Sequence, residues 1–194
     1  MSYQLPGEKK IIEKWDKIPG DITFVLREGD EVGDDGGCAI GGCWVKKTSA
    51  ELFANKKVVI FGLPGAFTPT CSSEQLPTFE KMYDDFKAQG IDEVYCLSVN
   101  DAFVMNAWAK ELGCTKVKLL ADGNADFTHA IGMLCNKRDK GFANRSWRYA
   151  MYVDNMTVNE SFIEPGYNNE GSDDDPYVES TPENVIQYIE TLNR

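Results

Sequence analysis

Apolar and polar residues alternate along DITFVLRE (21–28), the period-two pattern of a half-buried strand. CWVKKTS, from Cys43, predicts its partner across a Gly- and Asp-rich loop, GDEVGDDGGCAIGG (29–42). Thr48 and Glu51 have the spacing of a capping box for a short helix, AELFAN. The pattern then changes. KVVIFGL (57–63) is an unbroken apolar, β-branched run, which predicts a strand covered on both faces. From about Thr70 to Gln89, Leu76, Phe79, Met82, Tyr83 and Phe86 recur at helical spacing. Gly90 predicts the stop of that helix, and Pro77 a kink within it. EVYCLSV (93–99) reads as a second buried strand. NDAFVMNAWAKELG (100–113) reads as a helix capped by Asn100 and stopped by Gly113, and KVKLL (116–120) as a third strand. DGNADFTHAIGM supplies a turn and a short helix. YAMYVD and TVNESFI predict an antiparallel hairpin about Asn155. Thr181 caps a last helix with Pro182 at its first position and Val185, Ile186, Ile189 and Leu192 on one face.

The order β-α-β-α-β, hairpin, helix predicts an α/β protein: a thioredoxin-like fold with a mixed central sheet, flanking helices and an N-terminal β-hairpin extension. The chain is expected to form one domain over residues 1–194, with 1–50 as the extension. Ligands of open α/β sheets gather at the carboxyl ends of strands. Cys71 follows the first buried strand, at the start of a helix, within GLPGAFTPTCSSEQLPTFEKM. A helix N-terminus favours a thiolate, the nucleophilic form of cysteine. Thr68 and Thr70 bring hydroxyls to the same small space, and Pro64 and Pro69 stiffen the approach. The alternative for Cys71 is a buried hydrophobe, a common role for free cysteine.

A net charge of −11 over 194 residues leaves no excess of cations for nucleic acid or an anionic membrane surface. The N-terminus lacks an apolar signal core, and no run is long enough to span a bilayer, so a cytoplasmic location is expected. The six cysteines (Cys38, Cys43, Cys71, Cys96, Cys114, Cys135) are then expected as thiols. Cys96 reads as a strand residue in the core, and Cys114 and Cys135 as packed or partly exposed. Cys38 and Cys43 form C-x-x-x-x-C, which could be a disulfide, a metal site or a resolving thiol; two ordinary loop thiols are expected. No metal is expected, because zinc needs about four ligands and neither a second pair nor a neighbouring histidine is present.

Pro64-x-x-x-Thr68-x-x-Cys71 resembles the active-site signature of peroxiredoxins. LPGAFTPTCSSEQLPTFE, SVNDAFVMNAWAKELG, DGNADF, SWRYAMYV and FIEPG together resemble the peroxiredoxin 5 type, in the branch that includes peroxiredoxin–glutaredoxin hybrids. The likeness runs from about Gly20 to the C-terminus, and no glutaredoxin domain is read in this sequence. It implies Cys71 as the peroxidatic cysteine, Thr68 and Pro64 as its partners, and Arg148 as the arginine facing thiolate and peroxide. It also implies a homodimer, for which Phe67, Phe79 and Trp147 are aromatic candidates. The chemistry it implies is reduction of hydrogen peroxide or small alkyl hydroperoxides, with no cofactor beyond an external thiol. Glutathione with glutaredoxin is the implied donor, thioredoxin the second choice. Many relatives carry histidine where Gln75 stands, so a step needing a titrating group there is not expected.

CNKRDKGFANRSWR holds Lys137, Arg138, Lys140, Arg145 and Arg148 against Asp139. Lys137 and Lys140 read as solvated. Arg138, Arg145 and Gln75 are candidates for a rim that attracts peroxide or glutathione. DEVGDD and SDDDP read as solvated acidic loops. Two other functions stay open. A Cys71 acyl-transferase or hydrolase would need a base, and His129 is the only histidine. A redox sensor would oxidise at Cys71 yet turn over little.

Overall fold

The computed structural model describes residues 9–29, 42–167 and 175–194. Strand β1 (Thr23–Glu28) pairs antiparallel with β2 (Cys43–Thr48) as the expected hairpin. The capping box forms in full at α1 (Ser49–Phe53): Glu51 N–H donates to Thr48 Oγ1 at 3.2 Å, and Thr48 N–H to Glu51 Oε2 at 2.7 Å. The main sheet adds β3 (Lys57–Leu63), β4 (Glu93–Ser98), β5 (Lys118–Ala121), β8 (Tyr149–Asp154) and β9 (Thr157–Ile163), in the order β5-β4-β3-β8-β9. Strand β3 lies at its centre, parallel to β4 and antiparallel to β8. It is buried from Val58 to Leu63, as an apolar run without alternation requires. The β8–β9 hairpin turns at Asn155 and Met156, both at positive φ.

Helices α2 (Leu76–Lys81) and α3 (Tyr83–Ala88) follow β3, and α4 (Ala102–Glu111) follows β4. The stretch predicted as one kinked helix is in fact divided. Cys71–Gln75 form a π-helical turn, and the chain breaks again at Met82. Pro77 stands in the first turn of α2, where its missing N–H costs nothing, so it does not kink the helix interior. Phe79 stacks on Phe61 of β3 at 3.9 Å and on Phe86 at 5.8 Å, which fixes this helical pair to the sheet. Asp101, not Asn100, caps α4, accepting from Phe103 N–H and Val104 N–H.

A short helix α5 (Asp126–Ala130) leads to two strands that periodicity did not reveal, β6 (Leu134–Asn136) and β7 (Asn144–Ser146). They pair across a 3₁₀ turn at Arg138–Lys140. The basic stretch is therefore a small hairpin rather than a plain loop. Lys137 is buried there, its Nζ 4.9 Å from the Trp147 ring, whereas Lys140 is exposed as expected. Helix α6 (Pro182–Leu192) is capped by Thr181 and buries Val185, Ile186 and Ile189. Leu192, expected on that face, is 52% exposed as the last residue of the helix. No described helix is long and apolar enough to cross a membrane.

Candidate active site

The site begins where β3 ends. Gly62 has no alternative: a Cβ there would come within 2.2 Å of the Tyr149 ring. Next, Pro64, Gly65 and Ala66 are buried and the chain turns sharply at Phe67, which has φ of 62° and is 54% exposed. A non-glycine residue in the left-handed region costs on the order of 1 kcal/mol and needs fixed neighbours. Asn100 supplies one fixing point: its Oδ1 accepts from Ala66 N–H at 3.0 Å and from Ser98 Oγ–H at 2.7 Å. Thr68 supplies another, its hydroxyl donating to Gly65 O at 2.7 Å. Ser72 N–H donates to Thr68 O at 3.0 Å and leads the chain into the helix.

Cys71 opens the π-helical turn, its carbonyl accepting from Leu76 N–H, and its side chain is buried. Arg148, between β7 and β8, reaches it from across the sheet, with Nη1 3.6 Å from Sγ. The same nitrogen donates to Gln75 Oε1, and Gln75 Nε2 lies 3.4 Å from Gly62 O. Nη2 is paired with the Asp175 carboxylate, and the Tyr177 ring lies 5.8 Å from the guanidinium carbon. Burial works against the Arg148 cation, but the sulfur of Cys71 and the Asp175 carboxylate outweigh it, so its pKa is raised.

Arg148 and Cys71 thus meet, with Pro64 and Thr68 on the loop that leads into the Cys71 turn. The rim candidates separate. Gln75 is buried behind Cys71 and is not on a rim, because the wide π turn directs it inward to Arg148. Arg145 donates to Val99 O at 3.2 Å and Phe142 O at 2.9 Å and lies against Gly65, with burial lowering its pKa. Arg138 is exposed on the 3₁₀ turn. His129 belongs to α5, and the described hydrogen bond to Cys71 Sγ comes from Arg148. Sequence reasoning missed Asp175 and Tyr177. SDDDP had the composition of a solvated loop, and its last aspartate carried no mark of its contact with a buried arginine.

Burial raises the Cys96 thiol well above its usual range. Burial and then the Glu80 carboxylate do the same for Cys114. Cys135 is a buried thiol, its Sγ 3.4 Å from Arg145 O. Cys43 is disulfide-bonded, contrary to the expected loop thiol, and Cys38 lies outside the described residues.

The chain that brings this buried thiol beside a buried arginine is similar to known proteins. Residues 45–179 fit the Redoxin family. A peroxiredoxin of Sinorhizobium fredii, y4vD, is 51% identical over 150 residues, 77% of this chain and 79% of its own. The chain belongs to the peroxiredoxins. The hybrid peroxiredoxin hyPrx5 of Haemophilus influenzae is 43% identical over 89% of this chain and 64% of its own length. Among solved structures, reduced Prx3 of Vibrio vulnificus in complex with hydrogen peroxide superposes with a TM-score of 0.78 at 34% identity, covering 95% of this chain and 99% of its own. A 1-Cys peroxiredoxin of Plasmodium falciparum gives 0.81 at 32% identity, covering 93% and 99%. The fold is thus the thioredoxin-like peroxiredoxin fold, and the activity is that of a peroxidase.

Proposed function

We propose that this peroxiredoxin reduces hydrogen peroxide and small alkyl hydroperoxides at Cys71 and is regenerated by glutathione with glutaredoxin. The observation that carries the reading is Arg148 Nη1 at 3.6 Å from Cys71 Sγ, in a site screened from bulk water. The thiolate attacks the terminal peroxide oxygen. The S–O bond forms as the O–O bond breaks, and the departing alkoxide or hydroxide takes a proton and leaves as alcohol or water. Cys71 is left as a sulfenic acid. Arg148 and the Cys71 amide stabilise the charge that moves across the O–O bond. The Thr68 hydroxyl, which donates to Gly65 O, accepts from the peroxide O–H, and buried Pro64 limits access.

Regeneration is assigned to an outside thiol. A thiolate displaces hydroxide, released as water, to give a mixed disulfide on Cys71. A second thiol attacks that disulfide and restores Cys71. Support comes from the other cysteines: Cys96 and Cys114 are held protonated, Cys135 is packed under Arg145 O at 3.4 Å, and Cys43 is already bonded. The similarity to a hybrid peroxiredoxin and to a 1-Cys peroxiredoxin points the same way. Thioredoxin is the second donor, and a cytoplasmic homodimer is part of the same proposal.

The test is peroxide consumption with glutathione–glutaredoxin and, separately, with thioredoxin. Wild type is expected to turn over fastest with the first pair, and Cys71→Ser not at all. A variant keeping Cys71 with the other five cysteines replaced by Ser or Ala is expected to retain turnover. If it folds yet loses glutaredoxin-supported activity, an internal resolving thiol exists. Fast oxidation of Cys71 without turnover by either donor would instead make the protein a sensor.

A further inference from the structure

We propose that Asp175 is a positioning residue for Arg148, and that Glu164 holds Asp175 in place. The inference rests on the peroxidase reading and extends it to residues outside the Pro-x-x-x-Thr-x-x-Cys turn.

The guanidinium is a rigid planar fork. Its Nη1 serves two acceptors, Cys71 Sγ and Gln75 Oε1, and its Nε is buried without an acceptor among the described residues. A plane fixed through one nitrogen can still pivot. Asp175 fixes the second nitrogen and so sets the angle at which Nη1 faces the sulfur. It also gives a cation that is 1% exposed a carboxylate partner, without which a buried charge is strongly unfavourable.

Asp175 is itself held. Its φ of 51° is a left-handed conformation, uncommon for non-glycine residues and more accessible to aspartate than to most. The chain is fixed from three residues on, at Val178, by the carboxylate of buried Glu164. One carboxylate oxygen of Glu164, Oε1, accepts from the N–H groups of Val178, Glu179 and Ser180 at 3.0, 2.9 and 2.8 Å, and from Ser180 Oγ–H at 2.8 Å. The backbone of Glu164 meets the same arginine, its N–H donating to Arg148 O at 3.2 Å. Glu164 therefore holds the backbone end of Arg148 and the strap that holds its tip. Tyr177 ties the strap to α2, its hydroxyl 3.3 Å from Thr78 Oγ1. The catalytic helix, the arginine and the strap form one connected unit.

The test uses stopped-flow oxidation of the reduced full chain by hydrogen peroxide, with reduction of the oxidised protein by external thiol and thermal melting as parallel readouts. Asp175→Ala is expected to slow the peroxide step about tenfold while leaving the reduction step unchanged. Asp175→Asn keeps an acceptor oxygen at the same place and is expected within about threefold of wild type. Glu164→Ala is expected to resemble Asp175→Ala, and the double variant to be no slower than the slower single, because both act through one contact. If Glu164→Ala does not fold, the Asp175→Ala and Asp175→Asn pair decides alone. A wild-type peroxide rate in Asp175→Ala, with Arg148→Met slow, overturns the inference and leaves the peroxidase reading standing. Asp175→Asn as slow as Asp175→Ala also overturns it, since charge rather than placement would then matter. A wild-type rate in Arg148→Met would overturn the role of Arg148 on which both rest.

Discussion

Arg148 is the residue on which the site depends most directly. Its charge lies 3.6 Å from the Cys71 sulfur, in a space with little water to screen it. Arg148→Met preserves length and removes the charge. Losing one such preorganised donor costs on the order of 10²–10³ in rate. The peroxide step, followed with Cys71 reduced, is expected to slow by about that factor while circular dichroism stays native. Gln75 shows the same economy: in place of a titrating histidine, a neutral amide accepts from Arg148 and faces Gly62 O, so its protonation does not vary with pH.

At the scale of elements, two contacts decide where the Cys71 turn stands. Asn100 reaches from the end of β4 to the Ala66 amide, so the strand beside β3 holds the loop leaving β3. Asn100→Ala removes two hydrogen bonds of about 1 kcal/mol each. It is expected to lower the melting temperature by several degrees and slow the peroxide step, while α4, capped by Asp101, keeps its helicity. Glu80 of α2 performs the corresponding task at the far end, accepting from the N–H groups of Thr115, Lys116 and Val117 and from Cys114 S–H. Burial, its largest influence, raises its pKa, but these donors together outweigh it and the net shift is downward. A carboxyl with a lowered folded-state pKa adds stability above its unfolded value, 4.5, and loses it as pH falls through the folded value. Glu80→Gln is therefore expected to be less stable than wild type by about 1 kcal/mol near neutrality, a figure reduced for its partial exposure. Denaturation series are expected to show the gap closing below that pH.

For the whole molecule, the question is assembly. Of the three aromatic residues proposed for a dimer face, Phe79 and Trp147 are buried, which leaves Phe67 on the surface beside the site. A homodimer through that face is expected by light scattering at micromolar concentration, with Phe67→Ser shifting it toward monomer. A wild-type monomer under those conditions would remove the proposal.

Local pattern in the sequence determined the strands from β1 to β5, the β8–β9 hairpin, the caps of α1 and α6, and the place of Cys71 between a turn and a helical segment. Each of those rests on neighbours in the chain: alternation, an apolar run, a cap, or a turn before a helix. The motif placed Arg148 at the site through family likeness. Only the tertiary structure decided what joins residues far apart in sequence. Asn100 had a cap's composition but serves the loop across β3, and Gln75 faces inward because the turn after Cys71 is π-helical. Asp175 lies 27 positions from the arginine it holds, and Glu164 14 to 16 from the amides it collects. Such contacts leave no period in the chain. They arise from the packing that buries Arg148, and a buried cation requires partners wherever in the sequence they occur.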